Sequence, residues 1–201
     1  ILNAHRVNNG QKFLSKDDKE IEEDTKEDFF FIQQNSTEKI LQEVISLSTG
    51  RLEKFGNYDF FKNIQVLTPT KKGPLGTREL NKALQNVLKP KIDELPEKAN
   101  GGAIFRVGDR IMQIKNNYDI TWEKDHSQKQ EYNIGGYKIP QKPEIGTGVF
   151  NGEMGTILEI DEKEKVIKIQ FDDEKVAWYG FTELEQIEHS YAITIHKAQR
   201  K

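Results

Sequence analysis

The sequence predicts an α/β layer joined to a small all-β module. Three observations carry this reading. Between residues 29 and 100, apolar runs of strand length alternate with segments of helical periodicity. From about 104 to 188, short apolar strands follow one another with turn residues between them. An apolar run at 191–196 then returns, and it suits the first layer better than the second.

The elements of the first layer follow in order. FFFIQ at 29–33 reads as a short apolar strand. A helix is expected from about Ser36 to Ser48, with Asn35 as N-cap and Glu38 three residues on as a capping box. Ile40, Leu41, Val44, Ile45 and Leu47 form its apolar stripe, and Gly50 is expected to end it. IQVLTPT at 64–70 is the next strand. After a Lys-Lys-Gly-Pro loop, Thr77 can cap a second helix with Leu80, Ala83, Leu84, Val87 and Leu88 on its apolar face, stopped by Pro90. Strand, helix, strand, helix implies a parallel sheet covered by helices. Two strands are too few to complete one.

The second module contains IFRVGDRIMQIK, GEMGTILEID, EKVIKIQFD and KVAWYGF. Asn151-Gly152 and the acidic turns at 161–164 and 172–175 read as hairpin connections. Four or five short antiparallel strands over this length suggest a small SH3-like barrel. Residues 121–147 read as a long loop or ribbon protruding from it, with Trp122, Tyr132 and Tyr137 pinning it or stacking on bases. At 191–196, Tyr191, Ile193 and Ile195 alternate with Ala192, Thr194 and His196. The barrel, over 104–188, is therefore expected as an insertion in the α/β layer.

Composition removes several functions. There are no cysteines, hence no disulfide, thiolate chemistry or Cys-ligated zinc. His5, His126, His189 and His196 show no zinc-binding spacing. No window approaches the roughly 18 apolar residues of a membrane span, and the N-terminus lacks a signal-peptide pattern, so a cytoplasmic protein is expected. The chain opens at Ile1, and its only methionines are Met112 and Met154, so it reads as a piece of a longer protein.

Charge is segregated within a net −3. Residues 15–28 carry eight acids against three lysines and read as a solvated segment. Residues 62–91 carry Lys62, Lys71, Lys72, Arg78, Lys82, Lys89 and Lys91 against Glu79 alone. A local basic stretch in an acidic chain is where a phosphate-backbone footprint is expected. Ligands of open α/β sheets bind beyond the carboxyl ends of the strands. Thr194 and His196 lie at one such end, and Thr68 to Lys72 follow another. Hydroxyls, an imidazole N–H, ammonium groups and the backbone N–H groups of Lys72 and Gly73 suit phosphate oxygens without reading bases. The plain alternative is a polar strand end with no ligand. GPLGTREL resembles a glycine-rich loop, but G-x-x-x-x-G-K-[ST] occurs nowhere in the chain.

Five stretches together carry a family resemblance: NAHRVNNG, QVLTPTKKGPLGTRELNKALQ, FRVGDRIMQIKNNYD, GVFNGEMGTILEID and YAITIHKAQ. In this order the chain resembles the C-terminal motor lobe of RecD-like superfamily 1 DNA helicases, the exodeoxyribonuclease V alpha subunit family. The resemblance implies an incomplete second RecA-like helicase domain at 1–103 and 189–201, with the SH3-like barrel inserted at 104–188. It implies a parent that moves 5′ to 3′ on single-stranded DNA in repair or recombination, uses ATP and Mg²⁺, and works with other helicase–nuclease subunits. YAITIHKAQ matches helicase motif V, whose Thr and His face the DNA strand; Arg200 and Lys201 depart from the Gly and acidic residue that follow in the family. The residues expected to touch the strand are Thr68, Lys71, Lys72, Thr194, His196 and Lys197. No bound cofactor is expected in this chain by itself. The competing reading is a stand-alone SH3-like adaptor that binds a nucleic acid or protein partner.

Overall fold

A computed structural model describes residues 2–12, 29–124, 132–134, 137–139 and 143–199. The acidic run at 15–28 and the residues Arg200 and Lys201 lie outside the described residues, as do the side chains of Tyr132 and Tyr137. Two compact units are formed, Ile1–Asn35 and Ser36–Lys201.

In the first unit, helix α1 (Leu2–Asn8) closes through a turn in which Gly10 takes φ 71°. Arg6 Nε donates to the Lys12 carbonyl at 2.9 Å. Residues 29–34 have no regular secondary structure, so the strand expected at 29–33 is not formed. Strands are held by ladder hydrogen bonds, and no other strand lies among the described residues of this unit.

The second unit opens with α2 (Thr37–Ser46). Its cap is Ser36, whose hydroxyl accepts from Lys39 N at 3.3 Å, one residue beyond the expected Asn35. The chain does not stop at Gly50 but passes through an irregular helical turn into α3 (Leu52–Gly56). Asn57 ends α3 in the left-handed region, where asparagine is tolerated. Helix α4 (Phe60–Asn63) is capped by Asp59, and β1 (Val66–Thr68) follows. Helix α5 (Thr77–Leu88) starts after Gly76. Its buried face is Leu80, Asn81, Leu84 and Gln85, whereas Val87, expected on that face, is exposed. The stripe is rotated because two of its members are polar and satisfied by hydrogen bonds to other elements.

A hairpin that hydropathy did not reveal comes next, β2 (Glu97–Asn100) and β3 (Ala103–Arg106). Gly101 and Gly102 both take positive φ, as a two-residue hairpin turn demands. Then follow β4 (Arg110–Gln113), β5 (Asn117–Lys124), β6 (Tyr132–Ile134), β7 (Tyr137–Ile139), β8 (Glu144–Val149), β9 (Met154–Asp161), β10 (Val166–Phe171) and β11 (Val176–Gly180). A 3-10 turn at Phe181–Gln186 leads to β12 (Ile187–His189), β13 (Ala192–Thr194) and the short helix α6 (Ile195–Ala198).

Seven strands form one antiparallel sheet in the order β12-β4-β9-β10-β11-β5-β8. Ile187 of β12 and Val149 of β8, from its two edges, share a single core with Ile111, Ile120, Ile157, Ile167, Ile169 and Tyr179. The sheet must curl to bring its edges into one cluster, as a small barrel does. A bulge between β9 and β10 places Leu158 outside and lets both Ile157 and Ile160 point inward. Ribbon β6–β7 is antiparallel. The turn at Asn151-Gly152 is present, but it is not a hairpin, because β8 pairs with β5 and not with β9. The turns at 161–164 and 172–175 do join paired strands.

β13 returns beside β1 in parallel register, with Val66 opposite Ala192 and Thr68 opposite Thr194. All three β13 residues are buried, as expected for a strand covered on both faces. Tyr191 and Ala192 pack with Leu80 and Leu84 of α5 and with Phe60. Ile193 packs with Met112 of β4 and Met154 of β9. The strand ends at Thr194, earlier than the expected 196. Its hydroxyl accepts from Lys197 N and starts a helical turn, so Thr194 and His196 are not on one strand face.

Candidate nucleic-acid interface

The carboxyl ends of β1 and β13 lie side by side, and the loop 69–76 and helix α6 leave from them. The loop is folded by its own hydroxyls. Thr68 Oγ1 donates to the Leu75 carbonyl at 2.7 Å, and Thr70 Oγ1 donates to the Lys72 carbonyl at 2.9 Å. Thr77 N donates to the Thr70 carbonyl at 3.1 Å, fastening the loop to the start of α5.

Thr68 and Thr194 are both buried, and each hydroxyl is engaged within the protein. Lys71, Lys72 and His196 are exposed. Lys71, Thr194 and Lys197 line one small cleft together with Asn81, Glu188 and Ile193. Lys197 Nζ lies 3.1 Å from Glu188 Oε2. Of the six expected residues, these three therefore meet at one cleft. Thr68 stands beneath it as the register partner of Thr194, while Lys72 and His196 are not among the residues that line it. Among the described residues there is no group of three or more metal-ligating side chains. No helix among them is long and apolar enough to cross a membrane.

The floor of this site depends on residues that sequence reasoning missed. Asn81 of α5 is buried and brackets β13: its Nδ2 donates to the His189 and Ala192 carbonyls at 3.0 Å each. Its Oδ1 accepts from Ala192 N at 2.7 Å. One turn along α5, Gln85 Nε2 donates to the Ile104 carbonyl and to Asp109 Oδ2, each at 2.7 Å. Asp109 has no exposed surface and also accepts from Arg106 N at 2.7 Å and from Tyr191 OH at 2.7 Å. His189 Nε2 lies 3.0 Å from the same carboxylate. The sequence offered only their i, i+4 spacing, which puts Asn81 and Gln85 together on one helix face beside the expected apolar stripe.

Tyr191 at this junction and Tyr179 in the barrel core are both strongly biased to the neutral form. Burial pushes the Tyr191 phenol well above its ordinary range, and the adjacent Asp109 carboxylate pushes it further. Tyr179, whose hydroxyl donates to Gln113 Oε1 at 3.0 Å in the barrel core, is also pushed up, mainly by burial.

Residues 80–171 match the family described as the ATP-dependent RecD-like DNA helicase SH3 domain. That span begins inside α5 and ends with β10. The chain is 31% identical over 136 residues to an ATP-dependent RecD2 DNA helicase of Deinococcus radiodurans, covering 68% of this chain and 14% of that protein. It is 29% identical over 176 residues to an uncharacterized protein of Methanocaldococcus jannaschii, covering 83% of this chain and 13% of that protein. The chain thus spans about one seventh of the length of the curated relatives it matches. A solved structure of two coordinating Pif1 helicases on forked double-stranded DNA overlaps 85% of this chain and 40% of its own, at 16% identity and a TM-score of 0.36. An overlap that loose carries no argument.

Two predictions follow from the junction. Asp109→Ala removes the acceptor shared by Gln85, Arg106, His189 and Tyr191. Urea denaturation should show a loss of about 3–5 kcal/mol, the range for stripping one member from a buried polar pair, and an unchanged midpoint would refute the assignment. The second concerns alkali. A phenol whose folded pKa is raised contributes stability that is intact below about pH 10, its unfolded value, and is lost as pH rises further. Unfolding should therefore begin above about pH 10. Absorbance titration should show Tyr179 and Tyr191 ionising only with unfolding, and Tyr179→Phe should flatten the alkaline loss.

Proposed function

We propose, for a chain related to the RecD-like DNA helicases and carrying their SH3 domain, that it serves as part of an ATP-driven motor moving 5′ to 3′ on single-stranded DNA in repair or recombination. In this reading residues 1–103 and 189–201 are part of the second RecA-like domain, and the barrel at 104–188 is inserted in it. One observation carries the reading. Lys71, Thr194 and Lys197 converge at the carboxyl ends of two parallel strands, where open α/β sheets bind their ligands.

The strand backbone is held by Lys71 and Lys72, with Lys197 and His196 beside them. Thr68 and Thr194 set the shapes of the loop and the helical turn that present these groups. Ammonium groups neutralise phosphates as point charges and read no bases, which suits a motor that must step along any sequence. The nucleotide and its Mg²⁺ are assigned to other parts of the parent protein. Phosphoryl transfer of this type uses a phosphate-loop lysine and metal-holding groups, and the G-x-x-x-x-G-K-[ST] motif does not occur here. Other helicase–nuclease subunits are proposed partners of the parent, and the cytoplasm its compartment.

Binding of the chain to labelled oligo(dT) should weaken with salt, and each neutralised phosphate contributes about −0.7 to the slope of log K against log salt. Replacing Lys71 and Lys72 together by Ala should flatten that slope by about 1.4. Replacing Lys82 and Lys163 removes the same charge elsewhere and should leave the slope unchanged. Equal flattening by both pairs would mean diffuse attraction and would sink the site. In a separate measurement, phosphate release from ATP by this chain should not rise on adding single-stranded DNA.

A further inference from the structure

Away from the strand ends, the barrel carries an open groove of about 460 Å³ at β5, β8 and β11. Its apolar lining includes Trp122, Ile145, Val176 and Trp178. Ile145, Glu123 and Val176 are register partners in one row across β8, β5 and β11. Trp178 lies two residues along β11 from Val176, on the same face of the sheet. Two of these apolar side chains are open to solvent, Ile145 at 68% and Trp178 at 43%.

The charged residues lining this groove have one sign. Asp119, Glu123 and Glu183 line it, and no lysine or arginine does. Among the described residues no cation pairs with Asp119 or Glu123, while Glu183 accepts from Gly180 N. Among the described residues, ammonium groups stand on both tryptophans: Lys168 Nζ is 5.0 Å from the Trp178 ring centre, and Lys124 and Lys175 are 5.5 and 5.7 Å from Trp122. Lys124 and Lys175 are already paired, with Asp173 and Glu153 respectively.

Exposed tryptophan beside aliphatic side chains would suit stacked bases, but carboxylates along the same groove repel the phosphates that accompany them. The same carboxylates complement a lysine or arginine whose stem lies on the apolar floor. We infer that this groove is a docking surface for a basic protein segment, one bearing lysine or arginine among apolar side chains. The inference stands apart from the strand-binding reading, because it uses a different face and a ligand of opposite charge.

The chain supplies its own reporter, since its two tryptophans both line the groove. Tryptophan emission of the whole chain would be followed against a short peptide alternating arginine with leucine and proline. The same peptide with glutamate for arginine, and oligo(dT), would be run in parallel. The arginine peptide should give a saturable change, the glutamate peptide none, and the double variant D119N/E123Q should bind the arginine peptide about 2- to 20-fold more weakly. Both replaced side chains are exposed, so the variant keeps its fold, which circular dichroism checks. Equal responses to the two peptides, undiminished binding by the variant, a response to oligo(dT) alone, or no response at all would each overturn the inference.

Discussion

Asp109 has no route to water, so its carboxylate must be satisfied by protein, and doing so fixes where four segments lie. Its partners come from helix α5 (Gln85), the last residue of β3 (Arg106 N), β12 (His189) and the residue just before β13 (Tyr191). Three of these are side chains of fixed reach, so α5, the start of the curled sheet and the return of the chain to β1 are held in one arrangement. Asn81 extends the same device by one helical turn and sets the register of β13 against α5. The apolar contacts then follow from that placement. Ala192 faces α5, while Ile193 faces Met112 and Met154. A polar knot of this kind adds direction to a junction that hydrophobic burial alone would leave free to slide.

How much of this was legible in the sequence depended on whether local pattern or distant pairing decided the element. The β10 and β11 strands alternate cleanly, and acidic turns join β9, β10 and β11, so pattern sufficed there apart from the bulge at Leu158. The pairing of 66–68 with 192–194 was also legible, because the mainly apolar run at 191–195 suits a covered parallel strand better than a barrel strand. Besides the β2–β3 hairpin, three features were not legible. The apolar run at 29–33 has strand composition, but composition cannot supply a ladder partner. Asn81 and Gln85 look like solvent-facing residues of an amphipathic helix. Their burial depends on carbonyls and a carboxylate brought from residues 104, 109, 189 and 192, which no local window contains. The Asn151-Gly152 turn has hairpin chemistry, yet its flanking strands find other partners, so the turn only redirects the chain.

The candidate interface shows the same division. Hydroxyls at 68 and 194 were picked out as phosphate donors because they sit at strand ends. In the fold each completes a local turn first, Thr68 through Leu75 and Thr194 through Lys197. A helix N-cap or a loop-closing hydroxyl removes an otherwise orphaned backbone group, a demand that exists with or without a ligand. What is left to face an incoming strand is the charged rim that these turns hold in position.

That rim is not uniformly available. Lys197 is engaged with Glu188, so a phosphate near it meets a carboxylate as well as an ammonium. Exposed pairs of this kind are worth only about 0–1 kcal/mol, which a phosphate can displace, but the displaced Glu188 remains in the cleft and subtracts from the gain. Lys71 lines the cleft, and Lys72 follows it in the same loop. Screening at physiological salt acts over about 8 Å, so a bound phosphate responds to this immediate set and little to the net −3 of the chain. In the proposed strand-binding reading, the balance of the site would therefore rest on the Lys-Lys pair in the loop that the Thr68–Leu75 bond closes, and Lys197 would add to the grip only as Glu188 released it.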